Sequence, residues 1–332
     1  MKIAFFEIED WEVEFLKKKL KGNEISFFKD ELDKKNAKTI KDFDVVSVFI
    51  KSKADEKILG QFNNLKAIVT RSTGFDHIDL NFCKKKKILV LNVPEYGSNT
   101  VAEHTFALIL ALSRKIHKSY ERTVRGDFSL DGLEGFDLKG KTIGIIGVGN
   151  IGKHVIRIAK GFEMNVLAYD IKKDLKLLKK LDFKYVSLDI LLKNSDIISL
   201  HCPYNKKIHH LLNKNKINKI KRGAIIVNTA RGGLIDTRAL VEALMNKHLN
   251  GAALDVVEEE GLIKEEIQLL SKKFPKQELE KLIENHILLT FDNVIITPHN
   301  AFNSKEALQR ILDVTVENIK CISRGKCKNI VK

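Results

Sequence analysis

Cysteine is scarce in this chain: Cys83, Cys202, Cys321 and Cys327 are the only four among 332 residues. None stands in a CxxC or Cys/His spacing, which leaves no metal site and no disulfide framework to read, so free thiols in a reducing compartment are expected. No apolar run approaches the roughly 20 residues that cross a bilayer. The apolar stretch at the N-terminus is short and meets acid at Glu7, Glu9 and Asp10. It therefore reads as a strand, not a signal peptide, and a cytoplasmic location is expected. Internal repeats, low-complexity linkers, RGG tracts and basic tails are missing as well.

Positive charge is present in excess. The formal net charge is +15, but the lysines are spread along the chain and the longest run is only Lys84 to Lys87. Such a balance can mark a nucleic-acid or membrane surface. Without aromatic–basic interleaving it reads as a solvated Lys-rich surface that attracts anionic substrates and cofactors, and neither nucleic acid nor membrane is expected as a partner. Hydrophobic residues at 44% and charged residues at 30% suit a soluble globular protein. The length allows two domains, each with its own core.

The first third alternates short apolar runs (Ile3 to Phe6, Val45 to Ile50, Ala67 to Thr70, Ile88 to Val93) with helical patterns such as Glu12 to Leu20. A second block, from Lys141 to about Asn300, repeats the alternation. Its strands are Thr142 to Ile146, Asn165 to Tyr169, Asp196 to His201, Ala224 to Asn228, Gly251 to Val256 and Val294 to Thr297. Two α/β units with parallel sheets follow. Between them Asn99 to Lys118 reads as one helix, apolar over most of its circumference, to be buried between domains or against a partner subunit. Ser304 to Gly325 reads as a last helix that returns to the first domain.

The segment from Lys141 runs through Gly147-Val-Gly149-Asn150-Ile151-Gly152, following one strand and opening a helix. In that context Gly147 permits a tight turn, Gly149 lets the backbone approach a pyrophosphate, and Gly152 lets helix and sheet pack closely. Asp170, at the end of the next strand, is placed to bond an adenosine ribose, and its carboxylate favours NAD over NADP. Lys172 and Lys173 follow closely and soften that preference.

Three further segments put a charged or titratable group just past a strand end: Asn228-Thr229-Ala-Arg231, Asp255-Val-Val-Glu-Glu-Glu260 and Thr297-Pro-His299. A guanidinium, a carboxylate and an imidazole suit a 2-keto acid. Arginine grips a carboxylate bidentately, histidine protonates a carbonyl oxygen, and glutamate keeps an imidazole charged near neutral pH.

Over nearly its whole length the sequence resembles the D-isomer-specific 2-hydroxyacid dehydrogenase family. The matching pieces are Arg71-Ser-Thr-Gly74-Phe-Asp, Asn99-Thr-Val-Ala-Glu103-His, the glycine fingerprint, His201-Cys202-Pro203, Asn228-Thr229-Ala-Arg231-Gly, Leu254-Asp255-Val and Thr297-Pro-His299. The resemblance implies two Rossmann-like or flavodoxin-like domains with an active-site cleft between them. The substrate domain would be discontinuous, 1–99 with 300–332, around an NAD-binding domain at 100–299. It implies that Arg231 binds and polarises the keto acid, that His299 is the acid/base, and that Glu260, five positions after Asp255, tunes His299. Asp255 would face the nicotinamide side of the cofactor. Thr100, Asn150, Ile151, Cys202, Pro203 and Thr229 would lie along the cofactor. Thr73 and Gly74 would offer N–H groups to the substrate carboxylate.

The resemblance is nearest to the D-lactate dehydrogenase branch, on two features. Tyr96 and Phe302 match aromatic positions that shape a small apolar pocket, and a long segment runs from Gly261 to Asp292. A homodimer is implied, together with a small 2-keto or 2-hydroxy acid substrate. Glyoxylate or hydroxypyruvate as substrate stays open, as does a dehydrogenase-like protein that senses NAD in the manner of a corepressor.

Overall fold

The computed structural model describes residues 1–258 and 276–331. The chain divides into two units, Met1–Tyr96 with Ser304–Lys332, and Gly97–Asn303.

In the first unit the strands are β1 (Lys2–Phe5), β2 (Glu24–Phe27), β3 (Val45–Val48), β4 (Ala67–Thr70) and β5 (Leu89–Leu91). They form one parallel sheet in the order β2-β1-β3-β4-β5, an order that reverses between β1 and β3. Every residue of β3 and β4 is buried, as expected where helices cover both faces and apolar runs replace alternation. On one face the helix Asp10–Lys19 contributes Leu16, and the helix Lys305–Arg324 contributes Leu312, Val316 and Ile319. The other face is covered by Ala37, Ile58, Leu59 and Phe82.

The last helix belongs to this unit because its apolar residues recur every three or four positions. Its ends match the sequence signals: the Ser304 hydroxyl accepts from the Ala307 N–H, and Gly325 stops it at φ +70°. That left-handed glycine turns the chain back, and Cys321 and Cys327 are joined by a disulfide with their Cα atoms 5.0 Å apart. This corrects the expectation of four free thiols: only Cys83 and Cys202 are unbonded. The pairing depends on how the helix ends, which cysteine spacing alone does not reveal.

In the second unit the strands are β6 (Thr142–Ile146), β7 (Asn165–Tyr169), β8 (Lys184–Tyr185), β9 (Ile197–Leu200), β10 (Ile225–Asn228), β11 (Gly251–Leu254) and β12 (Val294–Ile296). All are parallel, in the order β12-β11-β10-β9-β6-β7-β8. The order reverses between β6 and β9, the kind of place where open α/β sheets bind ligands.

The apolar stretch after Asn99 forms two helices, Ser98–Ser113 and Ile116–Val124, separated at Lys115, whose φ is +50°. The first is spent on its own unit's core. Ala102, Phe106, Ile109 and Leu112 pack with Val155, Ile156 and Ala159 of the helix Asn150–Gly161, and Phe106 stacks on Phe162 at 5.4 Å. The second helix buries nothing, and with the loop after it exposes Tyr120, Val124, Phe128 and Leu130.

Candidate active site

Parallel strands deliver all their C-terminal loops to one edge. Along that edge of the second unit the strands run β7, β6, β9, β10, β11, β12. The residues just past them, in the same order, are Asp170, Gly147, Cys202, Thr229 to Arg231, Asp255, and Thr297 to His299. At about 4.8 Å between strands, this row extends roughly 24 Å. One end is built for a dinucleotide, and the other holds the titratable groups.

At the first end Gly147 has φ +98°, and a Cβ there would lie 2.6 Å from the Cys202 backbone nitrogen. A Cβ on Gly152 would lie 2.1 Å from the Gly147 carbonyl oxygen. Both positions demand glycine. At Gly149, by contrast, a Cβ would meet nothing within 4 Å, so bare backbone faces open space at the start of the helix Asn150–Gly161. Free N–H groups and a favourable dipole at that point fit a pyrophosphate.

The Asp170 carboxylate fastens this turn. It accepts from the Val148 N–H at 2.6 Å and from the Lys172 N–H at 2.8 Å. Asn150 accepts from Lys153 through its side chain, Ile151 is half-buried, and Pro203 is exposed. Burial pushes the Cys202 thiol up to about 11, so it is neutral and no nucleophile. Burial pushes its neighbour His201 down to about 3, and that ring is bonded to the Ser199 hydroxyl at 2.8 Å. Thr100 and Thr229 are buried, and the Thr229 hydroxyl lies 3.0 Å from that of Thr105.

At the second end a buried asparagine shapes the turn that carries Arg231. The Asn228 side chain accepts from the Ala230 N–H at 3.0 Å and donates to the Arg231 carbonyl at 2.9 Å. The next residue, Gly232, sits so close to the Val257 carbonyl that a Cβ would fall 2.1 Å from it. This contact sets the Arg231 turn against the segment after β11. Glu258, at the far side of that contact, is buried. It accepts from His210 at 2.6 Å, from the Thr237 hydroxyl at 2.6 Å and amide at 3.1 Å, and is paired with Lys281 at 3.1 Å. Glu259 and Glu260 lie outside the described residues.

Asp255, only 1% exposed, is turned into the loop that carries His299. Its carboxylate accepts from the Thr297 hydroxyl at 2.5 Å and from the N–H groups of Asn300 and Ala301, each at 3.0 Å. The half-buried His299 is held at φ +55°, a conformation that costs a non-glycine residue about 1 kcal/mol or more. The three bonds to Asp255 supply the restraint. His104 completes the cluster at 3.3 Å from the Thr297 hydroxyl and 3.6 Å from Asp255. Its place in the Asn99 to His104 motif was the available signal. Asn228 and Asn300 carried none beyond adjacency to the arginine and the histidine. Phe302 is half-buried in the same unit, near Gly97.

The remaining expected substrate residues lie in the first unit, in the loops after β4 and β5. Arg71 is 2% exposed and structural: it donates to the Phe6 and Glu7 carbonyls at 2.7 Å each. Thr73 is exposed and Gly74 half-buried. Their loop is tied down on both sides. The Ser72 hydroxyl donates to the Gly74 carbonyl at 2.6 Å, and the Asn92 amide donates to the Thr73 carbonyl at 2.8 Å. A relay of amides continues from there: Asn318 donates to the Asn92 carbonyl at 2.8 Å, and Asn329 donates to Asn318 at 2.9 Å. Tyr96 is half-buried, with its carbonyl bonded to Arg310.

Comparison with known proteins agrees with this arrangement. Residues 106–301 match the NAD binding domain of D-isomer specific 2-hydroxyacid dehydrogenases. A 2-hydroxyacid dehydrogenase homolog of Haemophilus influenzae is 38% identical, covering 100% of this chain and 99% of its own. The D-lactate dehydrogenase of Escherichia coli is 36% identical, with 99% of each chain covered. Among solved structures, the D-lactate dehydrogenase of Aquifex aeolicus, complexed with NAD and lactic acid, superposes with a TM-score of 0.88 at 38% identity, over 97% of this chain and 96% of its own. With the glycine turn, the parallel sheet and these full-length likenesses in agreement, the chain belongs to the D-isomer-specific 2-hydroxyacid dehydrogenase family, as an NAD-dependent oxidoreductase.

Proposed function

We propose that this enzyme interconverts pyruvate and D-lactate, with Arg231, His299 and Glu260 as its catalytic residues. The observation that carries the reading is the row of groups on one sheet edge: a dinucleotide turn at one end, and Arg231 and His299 on loops two strands apart at the other. Bound NADH supplies the hydride. Arg231 grips the carboxylate and draws electron density from the C2 carbonyl. The protonated His299 ring gives its proton to the oxygen as charge develops there, and Glu260 keeps that ring protonated beforehand. Gly147, Gly149, Asn150, Ile151 and Gly152 hold the pyrophosphate, and Asp170 takes the adenosine ribose. Thr100, Cys202, Pro203, Thr229 and Asp255 line the rest of the cofactor. In the substrate unit, Thr73 and Gly74 present N–H groups to the carboxylate, while Tyr96 and Phe302 favour a side chain as small as methyl.

We further propose that the enzyme works in the cytoplasm and that it is a homodimer. The support for a second copy is the apolar face of Ile116–Val124, not the helix before it, which is already buried.

The test is an NADH-oxidation screen with pyruvate, glyoxylate, hydroxypyruvate and phenylpyruvate. Pyruvate should give the highest kcat/KM. His299→Ala should lose about 10²–10⁴-fold in kcat with NADH affinity nearly unchanged. A wild-type rate in that variant rejects the assignment, and a preference for glyoxylate moves the enzyme to the reductase reading.

A further inference from the structure

The +15 charge is dispersed along the sequence, but folding concentrates part of it at one place in the first unit. Where the helices Asp10–Lys19 and Lys305–Arg324 end, they leave a cavity of about 180 Å³. Its floor includes the buried Leu20 and Ile319, and its walls carry Lys19, Lys21, Lys320 and Arg324, with no carboxylate among the lining residues.

In the other unit some lysines pair off. Lys216 and Lys219 share Asp189, Lys221 meets Asp196, and Lys214 meets Glu242. None of the four cavity cations has a carboxylate partner among the described residues; Lys19 lies instead over the Phe15 ring at 5.5 Å. Basic side chains at helix C-termini ordinarily answer the helix dipole, which amounts to about −0.5 of a charge per helix. Two helix ends therefore offset roughly one of four positive charges. The surplus of roughly three side-chain charges, together with the Met1 ammonium that donates to Asn23, lines a space large enough for a compact ion.

We propose that this cavity binds a small polyanion bearing phosphoryl groups, inorganic diphosphate being the simplest, at a site distinct from the dinucleotide turn of the other unit. Arg324 supplies the planar fork that matches two phosphoryl oxygens, and the lysines act as mobile point charges. Neither the cavity nor its residues take part in the proposed hydride transfer.

The experiment is calorimetric titration of inorganic diphosphate into the NADH-saturated enzyme at about 0.15 M salt, where charges more than about 8 Å apart are largely screened. One saturable site is expected. The Lys21→Glu/Arg324→Glu double variant should weaken binding by roughly tenfold or more, while Lys21→Arg should keep it. Turnover and circular dichroism should be unchanged in both, since these side chains are solvent-facing. Absence of saturable binding, or an equal Kd in the double reversal, overturns the proposal. Binding that appears only without NADH assigns the ion to the dinucleotide turn and also overturns it. Citrate binding as tightly as diphosphate removes the phosphoryl assignment.

Discussion

Asp255 illustrates how one buried carboxylate can organise a whole loop, here the one that carries His299, the proposed acid/base. It meets three donors of the His299 loop, and an amide in its place would turn an NH2 group toward some of them. Asp255→Asn should therefore cost about 2–3 kcal/mol of stability. It should also lower kcat by about 10²-fold through misplacement of the imidazole, and shift the pH–rate profile while NADH still binds. Thermal unfolding and a pH profile of kcat check this; a profile superimposable on wild type would make Asp255 a packing residue only. His201 makes a different prediction. Its folded value lies near 3, below the ordinary 6.5, so its contribution to stability is complete above about pH 6.5 and is lost as the pH falls toward 3, because the unfolded chain takes up the proton first. In urea titrations across that range, His201→Gln should lose stability less steeply than wild type. Parallel slopes would mean that the ring is solvated.

Among the elements, the last helix does more than close the first sheet. Its Asn318, 2% exposed, bonds the Asn92 carbonyl, and Asn92 in turn holds the Thr73 carbonyl. Asn318→Ser would strand these buried groups, at a cost of about 1–3 kcal/mol. Expressed at the substrate loop, that corresponds to a rise in KM for the keto acid of about tenfold, with kcat and NADH affinity little altered. Steady-state kinetics with direct NADH titration separates this from general unfolding, which would lower apparent kcat and the number of NADH sites while leaving KM unchanged. The two helices after Gly97 divide their work in another way. A stretch that reads as a single apolar helix is broken at Lys115, and only its first part belongs to the core.

The second part matters at the scale of the whole molecule. Tyr120, Val124, Phe128 and Leu130 are 70%, 68%, 77% and 82% exposed, and apolar side chains exposed in this way are the material of protein interfaces. If a second copy covers them, Val124→Glu/Phe128→Glu should convert a dimer to monomer in sedimentation velocity. An unchanged sedimentation coefficient would move the interface elsewhere.

Most of the sheet was legible in the sequence because buried parallel strands are continuous apolar runs, as at Ala67–Thr70 and Thr142–Ile146. The exceptions are informative. β2 is a half-buried edge strand and β8 is two residues long, and neither makes a run. The glycine turn could be read because Gly147 and Gly152 answer local backbone demands. The positions of Asp170, Arg231 and His299 just beyond strand ends could be read because each follows an apolar run. Local order along the chain therefore determined the strands, the turn and which charged side chains stand just past the strand ends. Only the tertiary structure decided that Asp255 grips the histidine loop, that Cys321 meets Cys327, that Asn318 reaches the Thr73 loop, and that four dispersed cations share one cavity. Each of those depends on groups that approach through space, a relation that no periodicity along the chain encodes.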